Sequence, residues 1–241
     1  MKENDIWVVE PFEGSYSVKQ ILDFLLPEYC RMFDSKTMYA EKCIVYNDCA
    51  AECPMLVTNY DPIRLRLAQL PLNYWSQTLF QLSHEMCHYA IRQGKTDKTF
   101  TINWLEEIIC EAASLYALNY AKNNWRKCSL SQLDNAYSRS IFAYLSSQLN
   151  HENTNILSDC HTIEQLEKYN SIAGDHREGH GRERNTLYSA ILKKPGECKC
   201  FCEMYRYLNP DRLTINFEAW KNDSPSELIK CLERIQPCIK S

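Results

Sequence analysis

Leu79-Phe80-Gln81-Leu82-Ser83-His84-Glu85-Met86-Cys87-His88-Tyr89-Ala90 carries the pattern His-Glu-x-x-His inside a run with helical periodicity. Tyr74, Trp75, Leu79, Leu82, Met86, Tyr89 and Ala90 recur every three or four residues, as on a helix with one buried face. Asn73 is read as the cap that starts this helix, and Gly94, after Arg92, as its stop. Two histidines four residues apart on a helix lie about 40° apart around the axis and about 6 Å along it. Both rings can therefore reach one zinc ion, with Glu85 beside it as a candidate general base. The competing reading is an amphipathic helix with one buried, hydrogen-bonded histidine and one exposed histidine.

Upstream, Ile6-Trp7-Val8-Val9 reads as a short strand ended by Pro11 and Gly14. Tyr16 to Phe33 has helical spacing, and Pro27 is expected to kink or end it. Three strand-like runs follow: Cys43 to Tyr46, Met55 to Thr58, and Ile63-Arg64-Leu65-Arg66-Leu67, which alternates cleanly. Pro62 before the last run and the two arginines on its outer face favour an edge position. Gln93 to Thr101 is a polar loop. Its Gly94-Lys95-Thr96 is not a phosphate loop, since that motif needs glycine where this chain has Tyr89.

Downstream the period stays helical. Ile102 to Tyr116, Ser129 to Leu149, Thr162 to Tyr169, Glu183 to Lys193 and Glu197 to Leu208 all read as helices, and Leu213 to Phe217 as a strand. Ser224-Pro225-Ser226-Glu227 has the cap, proline and capping-box glutamate of a helix start. Ala173 to Gly181 is rich in glycine and charge; it reads as a solvated turn or, alternatively, a mobile loop over a site. No linker, repeat or low-complexity run divides the chain. The expectation is one α+β domain over residues 1–241. A small N-terminal mixed sheet would occupy about 1–70, and the site helix and a mainly helical part about 71–241.

A content of 45% hydrophobic and 24% charged residues is that of an ordinary globular protein. A net charge of −4 gives no electrostatic case for nucleic acid. Met1 to Asp5 is mixed in charge and no long apolar run follows. Neither a secretory signal nor a membrane partner is expected, and a cytoplasmic location is the default. Thirteen cysteines cannot all pair internally, and reduced thiols are expected in that compartment. Cys198, Cys200 and Cys202 alternate, and Cys49 and Cys53 are four apart. Neither group has the spacing of a zinc ribbon, so scattered thiols are expected rather than a second metal site. Cys87 reads as a small side chain packed near the site.

A zinc held by two histidines needs a further protein ligand and keeps one position for water. Trp104-Leu105-Glu106-Glu107-Ile108-Ile109-Cys110-Glu111 supplies two carboxylates, Glu107 and Glu111, on one helix face with Asn103 and Ser114. Glu106 points about 100° away from Glu107. Here the chain resembles the gluzincin metalloproteases, the thermolysin-like and aminopeptidase-like branch of the zincins. Their His-Glu-x-x-His is followed, some twenty residues on, by a glutamate ligand on a second helix. Eighteen residues separate His88 from Glu107, and Trp104-Leu105-Glu106-Glu107 is similar to the W-L-x-E signature of the aminopeptidase branch. The resemblance spans residues 75–118.

It implies a zincin-like fold, Zn2+ as cofactor, a peptide or protein substrate, and His84, His88 and Glu107 as ligands. It also implies Glu111 as the carboxylate that holds a ligand histidine, and substrate lying extended along the edge strand, read as Ile63 to Leu67. A histidine or tyrosine from a later segment would stabilise the transition state. His176, His180 and Tyr188 are the leading candidates, with His161, Tyr205 and Tyr207 also late enough in the chain. The glycine-rich segment that reads a substrate amino terminus in the aminopeptidase branch has no counterpart between Gly14 and Gly94. An endopeptidase or a narrow-specificity protease is therefore expected. The alternative is a zincin-fold protein that binds zinc without turnover and acts through protein–protein contact.

Overall fold

The computed structural model describes residues 6–68, 74–150, 156–175 and 177–239. Four strands, β1 (Trp7–Val9), β2 (Cys43–Asn47), β3 (Met55–Val57) and β4 (Ile63–Leu67), form one sheet in the order β1-β2-β4-β3. β1 and β4 run parallel to β2, whereas β3 is antiparallel to β4. Two helices interleave with these strands, α1 (Ser15–Phe33) and α2 (Ser35–Met38). After the sheet come α3 (Trp75–Gln93), α4 (Asn103–Asn124), α5 (Ser138–Leu149), α6 (Ile163–Asn170), α7 (Gly181–Lys193), α8 (Phe217–Asp223) and α9 (Glu227–Ile235). The fold is thus α+β, with a small mixed sheet at the N-terminal end and helices after it. Among the described residues, no helix is long and apolar enough to cross a membrane.

The alternation of Ile63 to Leu67 places Ile63, Leu65 and Leu67 in the core with Cys43 and Val45 of β2. It does not make β4 an edge. β4 lies between β2 and β3, and the edge strand on that side is Met55–Val57. Alternation reports a half-covered face, not the number of neighbours, and here the two arginines are used on that face. Arg64 pairs with Glu10 at 2.5 Å and lies over the Tyr46 ring, while Arg66 donates to the Cys53 carbonyl. Pro62 precedes the strand and so removes no ladder hydrogen bond.

α3 and α4 pack side by side at the centre of one hydrophobic cluster that extends from Ile6 to Leu232. α1 supports α3 from behind: Tyr29 is fully buried and its hydroxyl donates to the Ser83 carbonyl at 2.7 Å. α1 runs through Pro27 to Phe33 instead of ending there. The cap expected at Asn73 lies outside the described residues. Gly94 is the C-cap of α3, and only glycine fits there, since a Cβ would meet the Cys202 carbonyl oxygen at 1.6 Å.

Four further expectations are corrected. Ser129 to Leu149 is not one helix: Asp134 accepts from the Ala136 amide, and two 3₁₀ turns precede α5. Pro195–Tyr207 winds as a 3₁₀ helix, whose three-residue turn aligns the buried Cys198, Phe201 and Met204. Leu213 to Phe217 makes only a single bridge, Leu208 with Ile215, because Asn216 caps α8. The cap of α9 is Ser226, not Ser224, and Glu197 accepts from the Glu227 amide across the chain. α6 starts as expected, with a Thr162–Gln165 capping box.

Candidate metal centre

The α3–α4 seam brings His84 and His88 of α3 against Glu107 of α4. The donor atoms of these three residues all lie within 4.8 Å of one another. His84 Nε2 and His88 Nε2 are 3.1 Å apart; Glu107 Oε2 is 3.3 Å from the first and Glu107 Oε1 3.4 Å from the second. A four-coordinate ion with bonds of about 2.0–2.1 Å spaces its tetrahedral donors about 3.3–3.4 Å apart. Glu107 meets the two rings with different oxygens, and with one donor atom taken from each residue the three lie within 4.8 Å, so the trio surrounds one position that such an ion could take. Glu107 Oε2 is buried without a hydrogen-bond partner, the condition of an acceptor that a cation would satisfy. Two imidazoles and a carboxylate form a donor set that zinc and other first-row divalent ions accept.

The electrostatics follow from this crowding. Burial works to raise the Glu107 carboxyl, but His84 and His88 beside it hold it well below its usual range. For His88, burial favours the neutral ring, yet hydrogen bonds to Glu106 and Glu107 push its pKa well above the ordinary histidine value. Glu85 is nearly fully buried from the bulk and lines the same cleft as the trio. That cleft, about 630 Å³, is bounded by the β3 edge at Met55 and Leu56 on one side and by Glu106 and Glu107 on the other.

The carboxylate that holds a histidine of this trio is Glu106, whereas Glu111, expected in that role, meets Arg184 and His180. Glu106 Oε2 lies 3.0 Å from His88 Nδ1, on the side of the ring opposite Nε2, which faces His84 and Glu107. Two consecutive glutamates thus serve the two nitrogens of one imidazole, which a helical wheel of α4 alone does not reveal. Glu106 is itself anchored by Lys95 and by the Tyr205 hydroxyl. Burial opposes its charge, while His88 and Lys95 hold its carboxyl below the usual range. Lys95 also donates to the Phe100 carbonyl and to Thr101 Oγ1. Its sequence signal, a lysine directly after the glycine that ends α3, is visible only once α3 is known to carry the site.

Glu111 lies one turn on, where α7 crosses α4. There it meets Arg184 Nη1 at 3.2 Å and His180 Nε2 at 3.7 Å. His180 is fully buried, with its Nδ1 2.5 Å from the Tyr169 hydroxyl. Tyr188 is buried on α7, which raises its phenol. Neither His180 nor Tyr188 lines the cleft. His176 lies outside the described residues, and Gly174 and Asp175 before it are part of the cleft wall. Among the described residues, the cysteines form no group tight enough to hold a metal. Cys87 is buried, as are Cys198 and Cys200, whereas Cys49 and Cys53 are exposed. No protein-family model, curated protein or solved structure matches the chain.

Proposed function

We propose that the chain is a zinc-dependent peptidase of the gluzincin kind, on a zincin-like fold, with His84, His88 and Glu107 as ligands. The observation that carries this reading is the convergence of one donor atom from each of His84, His88 and Glu107 within 4.8 Å, with Glu85 on the wall of the same cleft. A bound zinc would supply Lewis acidity, polarising a peptide carbonyl and acidifying a water.

The remaining work falls to the chain's own groups. The Glu85 carboxylate takes a proton from the attacking water and passes it to the departing amine. Glu106, fixed by Lys95 and Tyr205, sets the tautomer and orientation of His88. β3 is the edge strand beside the cleft, so its outward backbone groups can pair with an extended peptide or protein segment. That role passes from the strand first expected, Ile63–Leu67, to Met55–Val57.

The test is Glu85→Gln in zinc-loaded protein against a mixed peptide pool. Retained zinc with loss of cleavage is expected; undiminished cleavage would overturn the mechanism. A second reading, a zinc-holding regulatory protein that works through protein–protein contact, draws support from His180 and Tyr188 lying away from the cleft. It predicts no cleavage by wild type either, with the same zinc content.

A further inference from the structure

Past His88 the cleft continues along α3 to a cationic end. Arg92, one turn beyond His88, and Lys98, in the loop after α3, both line it. Both donate to one oxygen, Oε1 of Glu41, Lys98 at 3.3 Å and Arg92 more closely. In the ion pairs around this end, three carboxylates (Glu41, Glu106 and Asp97) meet four cations (Arg92, Lys95, Lys98 and Arg212). Glu106 is committed to Lys95 and His88, and Asp97 to Arg212 and Thr99. One positive charge is left over, and it meets solvent at Lys98, whose side chain is 45% exposed. Arg92 Nε is buried with no acceptor. The carbonyl end of α3 works against an anion here, and Arg92 in the last turn offsets it. The other carboxylates on the cleft wall, Glu85, Glu107 and Asp175, meet no lysine or arginine among the described residues, and Glu107 faces the two histidines, with Gly174 3.9 Å from Glu107 Oε1 by its missing Cβ. The cleft is therefore polarised along its length.

We propose that the Arg92–Lys98 end is a carboxylate-binding subsite that selects peptides by an acidic side chain or a free C-terminus. This deepens the peptidase reading and rests on it. Arg92 lies four positions after His88 on the helix, about 6 Å along the axis. An extended peptide advances about 3.3 Å per residue, so the recognised carboxylate lies about two or three residues from the bond held at the metal. Lys98 is the exposed contact and Arg92 the mostly buried one, with Glu41 as the competing internal anion. Substrate displaces half of an existing ion pair and leaves the other half in place.

The test uses zinc-loaded full-length Glu85→Gln protein and fluorescent hexapeptide pools, read by anisotropy. One pair of pools carries glutamate or glutamine at each position in turn; another carries a free or an amidated C-terminus. The charged member of at least one pair should bind about fivefold more tightly at low salt, with the advantage shrinking as salt rises. Which pair shows it identifies the source of the carboxylate. Lys98→Gln should abolish the advantage and Glu41→Gln should enlarge it, so misfolding of one variant cannot mimic both results. Equal binding of charged and neutral pools, or an advantage indifferent to Lys98→Gln, overturns the subsite. Wild-type cleavage of the same pools without acidic preference also overturns the subsite and leaves the peptidase reading standing; neither binding nor cleavage overturns both.

Discussion

Two turns of α4 each place a carboxylate against a histidine and a cation, yet they form different kinds of site. At Glu106 and Glu107 the partners are His88, His84 and Lys95; at Glu111 they are His180 and Arg184. In the first, three donor atoms converge beside a cleft, and the cation stands behind the carboxylate rather than in front of it. In the second, a guanidinium occupies the front of the carboxylate, and α7 seals the cluster inside the core, with His180 and Glu111 essentially unexposed. The residue types are nearly the same. What separates a candidate metal centre from an internal strut is where the cation stands and whether solvent reaches the donors.

Breaking the strut should give the largest effect. Glu111→Ala leaves Arg184 buried and uncompensated, which costs about 3–5 kcal/mol. A urea titration should register that loss, with metal stoichiometry unchanged in whatever fraction remains folded. Normal stability would mean that Glu111 is not structural. On the other side, Glu106→Gln removes the charge behind His88 and should weaken metal binding about 10- to 100-fold. Competition with a chelator measures it, and unchanged affinity would return the histidine-holding role to another group. The smallest effect is expected at Tyr169→Phe. Removing the hydroxyl next to His180 costs about 1 kcal/mol and leaves metal affinity untouched. A change in affinity there would join the two clusters into one network.

How much of this was legible beforehand depends on how local each signal is. The helix around His84 and His88, the four strands and the short helix after Thr162 are written in short-range periodicity. Spacing alone lets Glu107 or Glu111 face the histidines once two helices are granted; the gluzincin resemblance singles out Glu107, and Glu107 is the one that meets both rings. The exchange of Glu106 for Glu111 does not emerge from spacing, because it depends on the angle at which α4 passes His88 and on α7 bringing Arg184 to the next turn. The same holds for β4. Its alternating residues define two faces, while its interior place depends on β3 folding back to pair with it. The role of Lys95 is not local either: it lies in Glu106 and Tyr205, residues distant in sequence.

The most direct test of the metal centre is zinc content per chain, by elemental analysis of protein purified without added metal, for wild type and Glu107→Ala. One zinc per wild-type chain, lost or markedly weakened in Glu107→Ala, is the predicted result. Wild-type protein that carries no metal and takes up none when zinc is added would contradict it.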